Sequence, residues 1–244
     1  LAANFIDTDL EPPFIALLVS GGHTQIIKVE SYGNINIIGE TIDDAVGEAY
    51  DKVARLIGLP YPGGPKLDKL AQEGNPFAFK LPEAKVGKFD FSFSGLKTAS
   101  LRLVKSFDKQ ELPLADICAS FQECVSSTLY KKVKHALEET GYKQVVLAGG
   151  VAANSEIRKK IFSLKDDGYN VYAPAMKYCT DNAAMIASAG YYNFLKGKTN
   201  QPFRDENYYE SLSKFFSRSI KLRNTSKNIC WEKGNSPNNV RNNK

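Results

Sequence analysis

The residues best suited to chemistry in this 244-residue chain are two glycine pairs, each at the end of an apolar run. Gly21-Gly22 follows Phe14-Ile-Ala-Leu-Leu-Val-Ser20, and Gly149-Gly150 follows Val145-Val-Leu-Ala148. A buried strand that turns at two glycines exposes backbone N–H groups with no Cβ in the way, which suits close approach of a phosphate or a sugar edge. Two such turns predict a nucleotide cleft, with a purely structural turn as the alternative for either pair alone.

Acidic side chains and one histidine near the first glycine pair are further candidates. Asp43, Asp44, Glu48 and Asp51 form an acidic run, and the last three share a helical spacing. Paired carboxylates bind Mg²⁺, but a solvated helix face is the simpler interpretation for all of them except Asp51. His23 follows the glycine pair and has the chemistry of a proton shuttle or a phosphate donor, with a packing role as the alternative.

The elements that must position these residues follow from hydrophobic periodicity. Alternating apolar residues predict a β-hairpin after the first strand, and helical spacing predicts a helix with Thr41 or Asp43 as its cap. Ser94 is expected to cap another helix, and Gly141 to end a long one. The predicted strands are 14–19, 24–30, 35–38, 145–147 and 170–173, and the predicted helices are 41–57, 66–73, 94–104, 115–139, 154–162 and 181–191.

This order of elements predicts an α/β domain with antiparallel strands at its start. It has neither the glycine turn with a trailing acidic residue of a Rossmann unit nor the GxxxxGK[ST] loop of P-loop proteins. The periodicity weakens from about residue 196, so we expect a nucleotide-binding domain over residues 1–198. Residues 199–244 form a basic tail with the composition of a disordered segment, with contact to nucleic acid as the alternative.

Composition narrows the class of protein further. The chain is 43% hydrophobic and 24% charged, with a net charge of +5. No apolar run approaches the roughly 20 residues of a membrane helix, so we expect no membrane partner and a cytoplasmic location. The four cysteines lack CxxC spacing, which favours reduced thiols over disulfides or a zinc site. Because Leu1 stands where an initiator Met is expected, we interpret the chain as a fragment or a truncated gene product.

Six motifs in a fixed order make the sequence similar to one family over roughly residues 1–197. They resemble the TsaD family, the catalytic subunit of tRNA threonylcarbamoyladenosine synthase, formerly described as an O-sialoglycoprotein endopeptidase. The residues within these motifs are similar to those of the bacterial and organellar branch. The motifs are Val19-Ser-Gly-Gly-His-Thr-Gln25, Ile42-Asp-Asp-Ala-Val-Gly-Glu-Ala-Tyr-Asp-Lys52, Tyr61-Pro-Gly-Gly-Pro65, Asp90-Phe-Ser-Phe-Ser-Gly-Leu-Lys-Thr98, Ala148-Gly-Gly-Val-Ala-Ala-Asn154 and Cys179-Thr-Asp-Asn-Ala-Ala-Met-Ile-Ala187.

The resemblance implies an actin-like and sugar-kinase-like ATPase fold, built on ribonuclease-H-like subdomains that close on a nucleotide. Here we expect the second subdomain to be mostly complete and the first to be largely missing. The implied reaction transfers the threonylcarbamoyl group from threonylcarbamoyl-AMP to the exocyclic amine of the adenosine beside the anticodon, in tRNAs that read codons beginning with A. The implied partners are tRNA, threonylcarbamoyl-AMP, and the smaller paralogous subunit and small ATPase subunit of the bacterial complex.

The resemblance also carries site residues to this chain. The family's metal site holds one divalent ion, with iron expected first and zinc as the alternative, and its aspartate falls on Asp181. Its His-x-x-x-His pair is absent here, because His23 and His135 are the only histidines and lie far apart, so we expect weak or no metal binding. The family's adenylate-binding positions fall on Leu18, Val19, Ser20, Gly21, Gly22, Asp51, Gly64 and Asn154.

Two other functions stay open. A shortened chain of this kind can serve as an inactive nucleotide-binding or dimerisation module, as the family's smaller paralogue does in bacteria. A metallopeptidase, the family's older description, is less favoured because the sequence contains no HExxH motif.

Basic side chains are candidates for contacting tRNA phosphates. Lys131, Lys132, Lys134 and His135 lie toward the end of the long predicted helix, where the helix dipole favours cations in any case. Lys97 lies near a predicted helix start and can contact an anion, with an ordinary solvated charge as the alternative.

Overall fold

The structure, a computed structural model, describes residues 1–6, 8–32, 34–108 and 111–195. The predicted basic tail and the boundary near residue 198 lie outside the described residues. The strands are β1 (Phe14–Val19), β2 (Thr24–Ser31), β3 (Asn34–Glu40), β4 (Gln144–Ala148) and β5 (Asn170–Tyr172), and the helices are α1 (Val46–Leu56), α2 (Gly63–Ala71), α3 (Ser94–Lys105), α4 (Leu114–Thr140), α5 (Ser155–Phe162) and α6 (Ala183–Leu195).

The described strands form one mixed sheet in the order β3-β2-β1-β4-β5. The first three strands pair antiparallel through consecutive hairpins, while β4 pairs parallel with both β1 and β5. Parallel pairing requires a crossover, and α1 to α4 supply the connection from β3 to β4. The predicted hairpin and the predicted α/β class are confirmed.

Both faces of the sheet are covered at its central strand β1, whose side chains alternate between them. Ile15, Leu17 and Val19 of β1 are 0% exposed and belong to the large core formed with the helices that precede and follow β4. Phe14 and Ala16 face the other side, in a smaller cluster that includes Val146 of β4. This two-sided burial explains why β1 is a nearly continuous apolar run.

The start of α1 differs from the sequence-based expectation. The helix begins at Val46, not near residue 41, and neither Thr41 nor Asp43 caps it. The hydroxyl oxygen of Thr24, on the neighbouring strand β2, instead accepts a hydrogen bond from the Val46 N–H at 2.8 Å. The cap prediction was wrong because a buried residue 22 positions earlier in the chain performs this role.

The start of α3 is also held by a distant side chain. The predicted cap, Ser94, makes no cap hydrogen bond, and its hydroxyl donates to Asp43 at 2.8 Å. Asp43 Oδ1 accepts from the N–H groups of Phe93 and Ser94 at 2.8 and 3.3 Å. Partial burial opposes ionisation of Asp43, but these bonds and one from Ser92 outweigh it and hold the pKa of the carboxyl below its ordinary value.

Other boundaries lie close to the predictions. α2 begins at Gly63, three residues before the predicted start at 66, and α4 ends at Gly141 in the left-handed conformation, with φ of 71°. A left-handed residue is the expected C-terminal cap of a long helix, and glycine adopts it without steric cost. Within the described ranges, no helix combines the length and apolar character needed to cross a membrane.

Candidate functional site: a cleft at the ends of two parallel strands

Both glycine turns lie at the same edge of the sheet. β1 and β4 are parallel neighbours, with Leu17 opposite Leu147 and Leu18 opposite Ala148. The turns that follow them therefore leave the sheet side by side at its carboxyl edge. In α/β proteins this edge, where connections diverge from adjacent parallel strands, is the usual place for a ligand crevice.

Gly149 allows the ends of β1 and β4 to approach each other closely. Its φ of 95° and ψ of 169° lie in a region that side chains rarely adopt. A Cβ at this position would also lie 2.2 Å from the carbonyl oxygen of Val19. The three atoms nearest to that Cβ position all belong to the Val19 backbone. Glycine is therefore required at residue 149 for two independent steric reasons.

The first turn closes on itself through Ser20. The Ser20 hydroxyl oxygen accepts from the N–H groups of Gly22 and His23 at 3.3 and 2.9 Å, and the Ser20 N–H donates to the His23 carbonyl at 2.8 Å. Three N–H groups of the turn are thus engaged within it. In the described part of the chain, the Gly21 N–H is the one N–H group of this turn with no internal acceptor.

The turn is supported from behind by the start of α1. The Gly47 N–H donates to the Ser20 carbonyl at 3.1 Å. A Cβ on Gly47 would lie 2.8 Å from the Gly21 Cα, so the helix approaches the turn too closely for a side chain. The helix thereby fixes the position of the turn.

Two neighbouring cavities of about 400 Å³ each open along this edge and share Gly150 in their walls. Both therefore lie against the turn after β4. Val19 and Gly22 line neither cavity. The first cavity is lined by Leu18, Ser20, Ala148, Gly149, Gly150, Thr180 and Asp181, among others, and the second by Gly21, Tyr50, Asp51, Gly64, Asp68, Gly150 and Asn154, among others.

Asp51 connects α1 to the start of α2 in the second cavity. Its Oδ1 atom accepts from the N–H groups of Gly63 and Gly64 at 2.9 and 3.2 Å. The approach of the two helices is tight, since a Cβ on Gly63 would lie 2.3 Å from the Ala54 Cβ. Asp51 and Gly64, both predicted as adenylate contacts, are therefore hydrogen-bonded to each other. Among the described contacts, Asp51 Oδ2 accepts no hydrogen bond.

Asn154 is held in one orientation by two hydrogen bonds. Its Oδ1 accepts from the Ile157 N–H at 2.9 Å and caps α5, while its Nδ2 donates to Gln122 Oε1 at 3.0 Å. The same Gln122 oxygen accepts from the Tyr50 hydroxyl at 3.4 Å. Full burial raises the pKa of Tyr50 well above its ordinary value, so the phenol is neutral at physiological pH. The buried amide of Asn154 is thus committed mainly to the protein.

Three residues of this cavity region were missed by sequence reasoning. Tyr50 and Gln122 are 72 positions apart, and Asp68 accepts from the Ser155 N–H and hydroxyl at 3.0 and 2.6 Å across 87 positions. Tyr50 lies one residue before Asp51 in a predicted helix, but helical periodicity marks it only as a core residue. No local pattern in the sequence signals these pairings.

A family model described as TsaD, tRNA N6-adenosine threonylcarbamoyltransferase, matches residues 1–188. The chain belongs to the TsaD family. A protein of that name from Gloeobacter violaceus is 56% identical over 199 residues, which are 80% of this chain and 58% of the relative. Another, from Fervidobacterium nodosum, is 50% identical over 215 residues, which are 84% of this chain and 63% of the relative. The chain thus spans about 60% of the length of these TsaD relatives.

The fold of this TsaD family member is similar to that of a known nucleotide-binding protein. The crystal structure of full-length HypF in its phosphate- and nucleotide-bound form superposes with a TM-score of 0.62. The match covers 80% of this chain and 34% of HypF at 15% sequence identity, so it concerns the fold alone. The expected actin-like and sugar-kinase-like fold is confirmed.

Asp181 is the residue of this chain that the TsaD resemblance assigns to the metal site. This carboxylate lines the first cavity. Across the described ranges, no group of three or more His, Cys, Asp or Glu side chains is arranged to hold a metal ion. The neighbouring Cys179 thiol is buried and directed at the carbonyls of Pro174 and Ala175. Asp181 by itself supplies one carboxylate, and a single carboxylate leaves an ion mostly to water.

The cations that the sequence marked as tRNA contacts are engaged with other residues. Lys131 pairs with Glu83 at 2.5 Å and Lys134 with Asp167 at 2.8 Å. Lys132 donates to the carbonyl of Gly87 at 2.7 Å. These side chains attach α4 to its neighbours, which makes this cluster a poor candidate for phosphate binding.

Proposed function

We propose that this chain forms the adenylate-binding part of a tRNA N6-adenosine threonylcarbamoyltransferase. The observation that carries the proposal is that both glycine turns and Asp51 converge on adjoining cavities at one sheet edge, in a chain of the TsaD family. The substrate pair would be threonylcarbamoyl-AMP and a tRNA that reads codons beginning with A. A cytoplasmic location, the smaller paralogous subunit and the small ATPase subunit belong to the same proposal.

The roles of the residues follow from the donors and acceptors in the cleft. The Gly21 N–H suits a phosphate oxygen of the adenylate, and the second turn at Gly150 borders both cavities. Asp51 Oδ2 suits a ribose hydroxyl, since a carboxylate oxygen accepts hydrogen bonds. The Ser20 hydroxyl oxygen holds the first turn in shape, and its O–H group, at the wall of the first cavity, suits a second oxygen of the same phosphate. Val19 and Gly22, which line neither cavity, contribute through the backbone of the strand and turn.

The proposed reaction is an acyl transfer. The exocyclic amine of the adenosine attacks the carbonyl carbon of the threonylcarbamoyl group, and a C–N bond forms. The bond between that carbon and the phosphate oxygen breaks, and AMP leaves with the electron pair. The amine loses one proton to solvent or to a base. A divalent ion, iron or zinc, stays a prediction that Asp181 does not support without further ligands.

A second candidate function is an inactive nucleotide-binding or dimerisation module. One observation favours it: among the described residues, no group of three or more His, Cys, Asp or Glu side chains is arranged to hold a metal ion. Such a module would keep the cleft and bind nucleotide but would not transfer the acyl group.

One experiment separates the two functions. The 244-residue chain is titrated with AMP by calorimetry and then incubated with the partner subunits, tRNA, threonine, bicarbonate and ATP, and digested tRNA is examined by mass spectrometry. Modified adenosine supports the transferase. AMP binding without product supports the module, and a chain that binds no AMP contradicts both.

A further inference from the structure

Helix α3 carries a row of exposed basic side chains. Lys97, Arg102 and Lys105, here called the α3 basic face, lie within an arc of about 140° when successive residues are placed 100° apart. All three are exposed, whereas Leu96 and Ser100 on the opposite side are buried in the body of the protein. The cations therefore point away from the core in one direction.

A fourth cation adjoins this face across a shallow hollow. Lys80 and Arg102 line the same hollow of about 520 Å³, which lies between residues 78–82 and the middle of α3. The lining contains no acidic side chain. Two positive charges thus share a solvent-filled hollow without a compensating carboxylate in its wall.

These cations differ from several other surface cations in that they form no ion pairs among the described residues. In the described part of the molecule, Lys80 and the α3 basic face form no salt bridge, whereas Lys88, Lys131 and Lys134 pair with Glu139, Glu83 and Asp167. Arg102 and Lys105 lie in the last turn of α3, where they also complement the helix dipole. Lys97 lies in the first turn, where the dipole disfavours a cation, so it does not serve helix stability.

We propose that the α3 basic face, together with Lys80, binds the phosphate backbone of the RNA substrate. The inference rests on the proposed function, which supplies the RNA, and adds the surface that binds it. Lys97 and Lys105 are eight residues apart, or about 12 Å along the helix axis. A nucleic-acid duplex carries one phosphate charge per about 1.7 Å of its axis, so several phosphates lie within that distance. Asp108 and Glu111 limit the basic surface beyond the end of α3.

The test compares two triple variants of equal charge in the full 244-residue chain. One replaces the α3 basic face, Lys97→Gln, Arg102→Gln and Lys105→Gln. The matched control, Lys88→Gln, Lys131→Gln and Lys134→Gln, removes three cations that are already paired. Binding of fluorescently labelled, unmodified tRNA transcript is measured by anisotropy over a range of salt concentrations, and thermal unfolding confirms that both variants are folded.

We expect the α3 variant to lose about 5-fold in affinity per phosphate contact at 0.15 M salt, or about 100-fold in total. The slope of log affinity against log salt should fall by about 0.7 to 0.9 per contact. The control should change affinity less than 3-fold and keep its slope. Both chains carry residues 196–244 unchanged, so any contribution of that segment is common to them.

Three results would overturn the proposal: equal losses in the two variants, an unchanged slope in the α3 variant, or no binding of tRNA by the parent chain at 0.05 M salt. A face that binds an acidic protein instead would leave tRNA affinity unchanged and thus also overturn it. Failure of the proposed function is distinguishable, because a chain that makes no modified adenosine can still show the salt-dependent difference between the variants.

Discussion

Replacing Gly149 by alanine should separate the ends of β1 and β4 and weaken the whole cleft. The backbone conformation at residue 149, with φ of 95°, costs a side chain about 1–3 kcal/mol. The added Cβ would lie 2.2 Å from the Val19 carbonyl oxygen, more than 1 Å inside ordinary contact, and relieving such a clash costs about 1–3 kcal/mol. Together these terms give a loss of about 2–6 kcal/mol in the free energy of unfolding.

Two other glycines separate these contributions. Gly168 has φ of 85° but open space around its Cβ position, so Gly168→Ala measures the backbone cost of a positive φ, about 1–3 kcal/mol, without a clash. Gly150 has neither a positive φ nor a close neighbour, so Gly150→Ala should leave stability nearly unchanged.

The assay is urea unfolding followed by circular dichroism, with thermal unfolding as a second measure. At about 2–4 °C per kcal/mol for a domain of this size, Gly149→Ala should lower Tm by roughly 4–24 °C. The close approach of the two strand ends is refuted if Gly149→Ala costs no more than Gly168→Ala. It is also refuted if Gly150→Ala costs as much as Gly149→Ala, because open space surrounds the Cβ position there.

Other substitutions and conditions test separate parts of the cleft. Asp51→Ala leaves two N–H groups at the start of α2 without their acceptor and should cost about 1–2 kcal/mol in urea unfolding, whereas Asp51→Asn should cost less. Asn154→Ala removes the cap of α5 and should cost about 1 kcal/mol by the same measurement. The pKa of Asp43 is lowered on folding, so its contribution to stability is present above the ordinary carboxyl value of about 3.9 and is lost as the pH falls through the lower folded value. Asp43→Asn should therefore make unfolding measured at pH 5 and pH 3 less pH-dependent than in the parent chain. Burial raises the pKa of Cys118 to about 12 and that of Cys124 to about 11, so iodoacetamide at pH 8 should modify them only after unfolding, as peptide mass mapping would show.

The elements with strong local patterns could be predicted from the sequence. β1 is an apolar run, β2 and β3 alternate, and α4 has a clear period and a glycine at its end. The helix starts could not be predicted equally well, because a cap prediction assumes that the capping side chain lies next to the helix in the chain. For α1 that side chain is Thr24, on a strand that the pattern had already assigned to the hairpin.

The candidate site could be predicted in outline but not in its hydrogen bonding. Two glycine pairs after apolar runs predicted two turns and a nucleotide cleft, and the parallel pairing of β1 with β4 places both turns at one edge of the sheet. The sequence did not predict that the Ser20 hydroxyl would engage the N–H groups of Gly22 and His23, because a serine before two glycines is compatible with many turn geometries. Those two hydrogen bonds change which N–H group of the first turn is available to a ligand.

The polar residues around the cleft mostly hold helix starts in place, and this affects how mutations there must be interpreted. Thr24 caps α1, Asp51 caps α2, Asp43 caps α3, and Asp68 and Asn154 together hold the start of α5. A substitution at Asp51 that abolishes nucleotide binding can therefore act by displacing α2 instead of removing a ligand contact. Measurements of the free energy of unfolding distinguish the two effects. Loss of a cap lowers this free energy even without ligand, whereas loss of a ligand contact lowers only the amount by which the ligand raises it. Thr24 lines neither cavity, so a substitution that removes its cap of α1 serves as the control. A residue of this set is a ligand contact only if its substitution reduces the ligand-induced increase in Tm by more than the Thr24 substitution does.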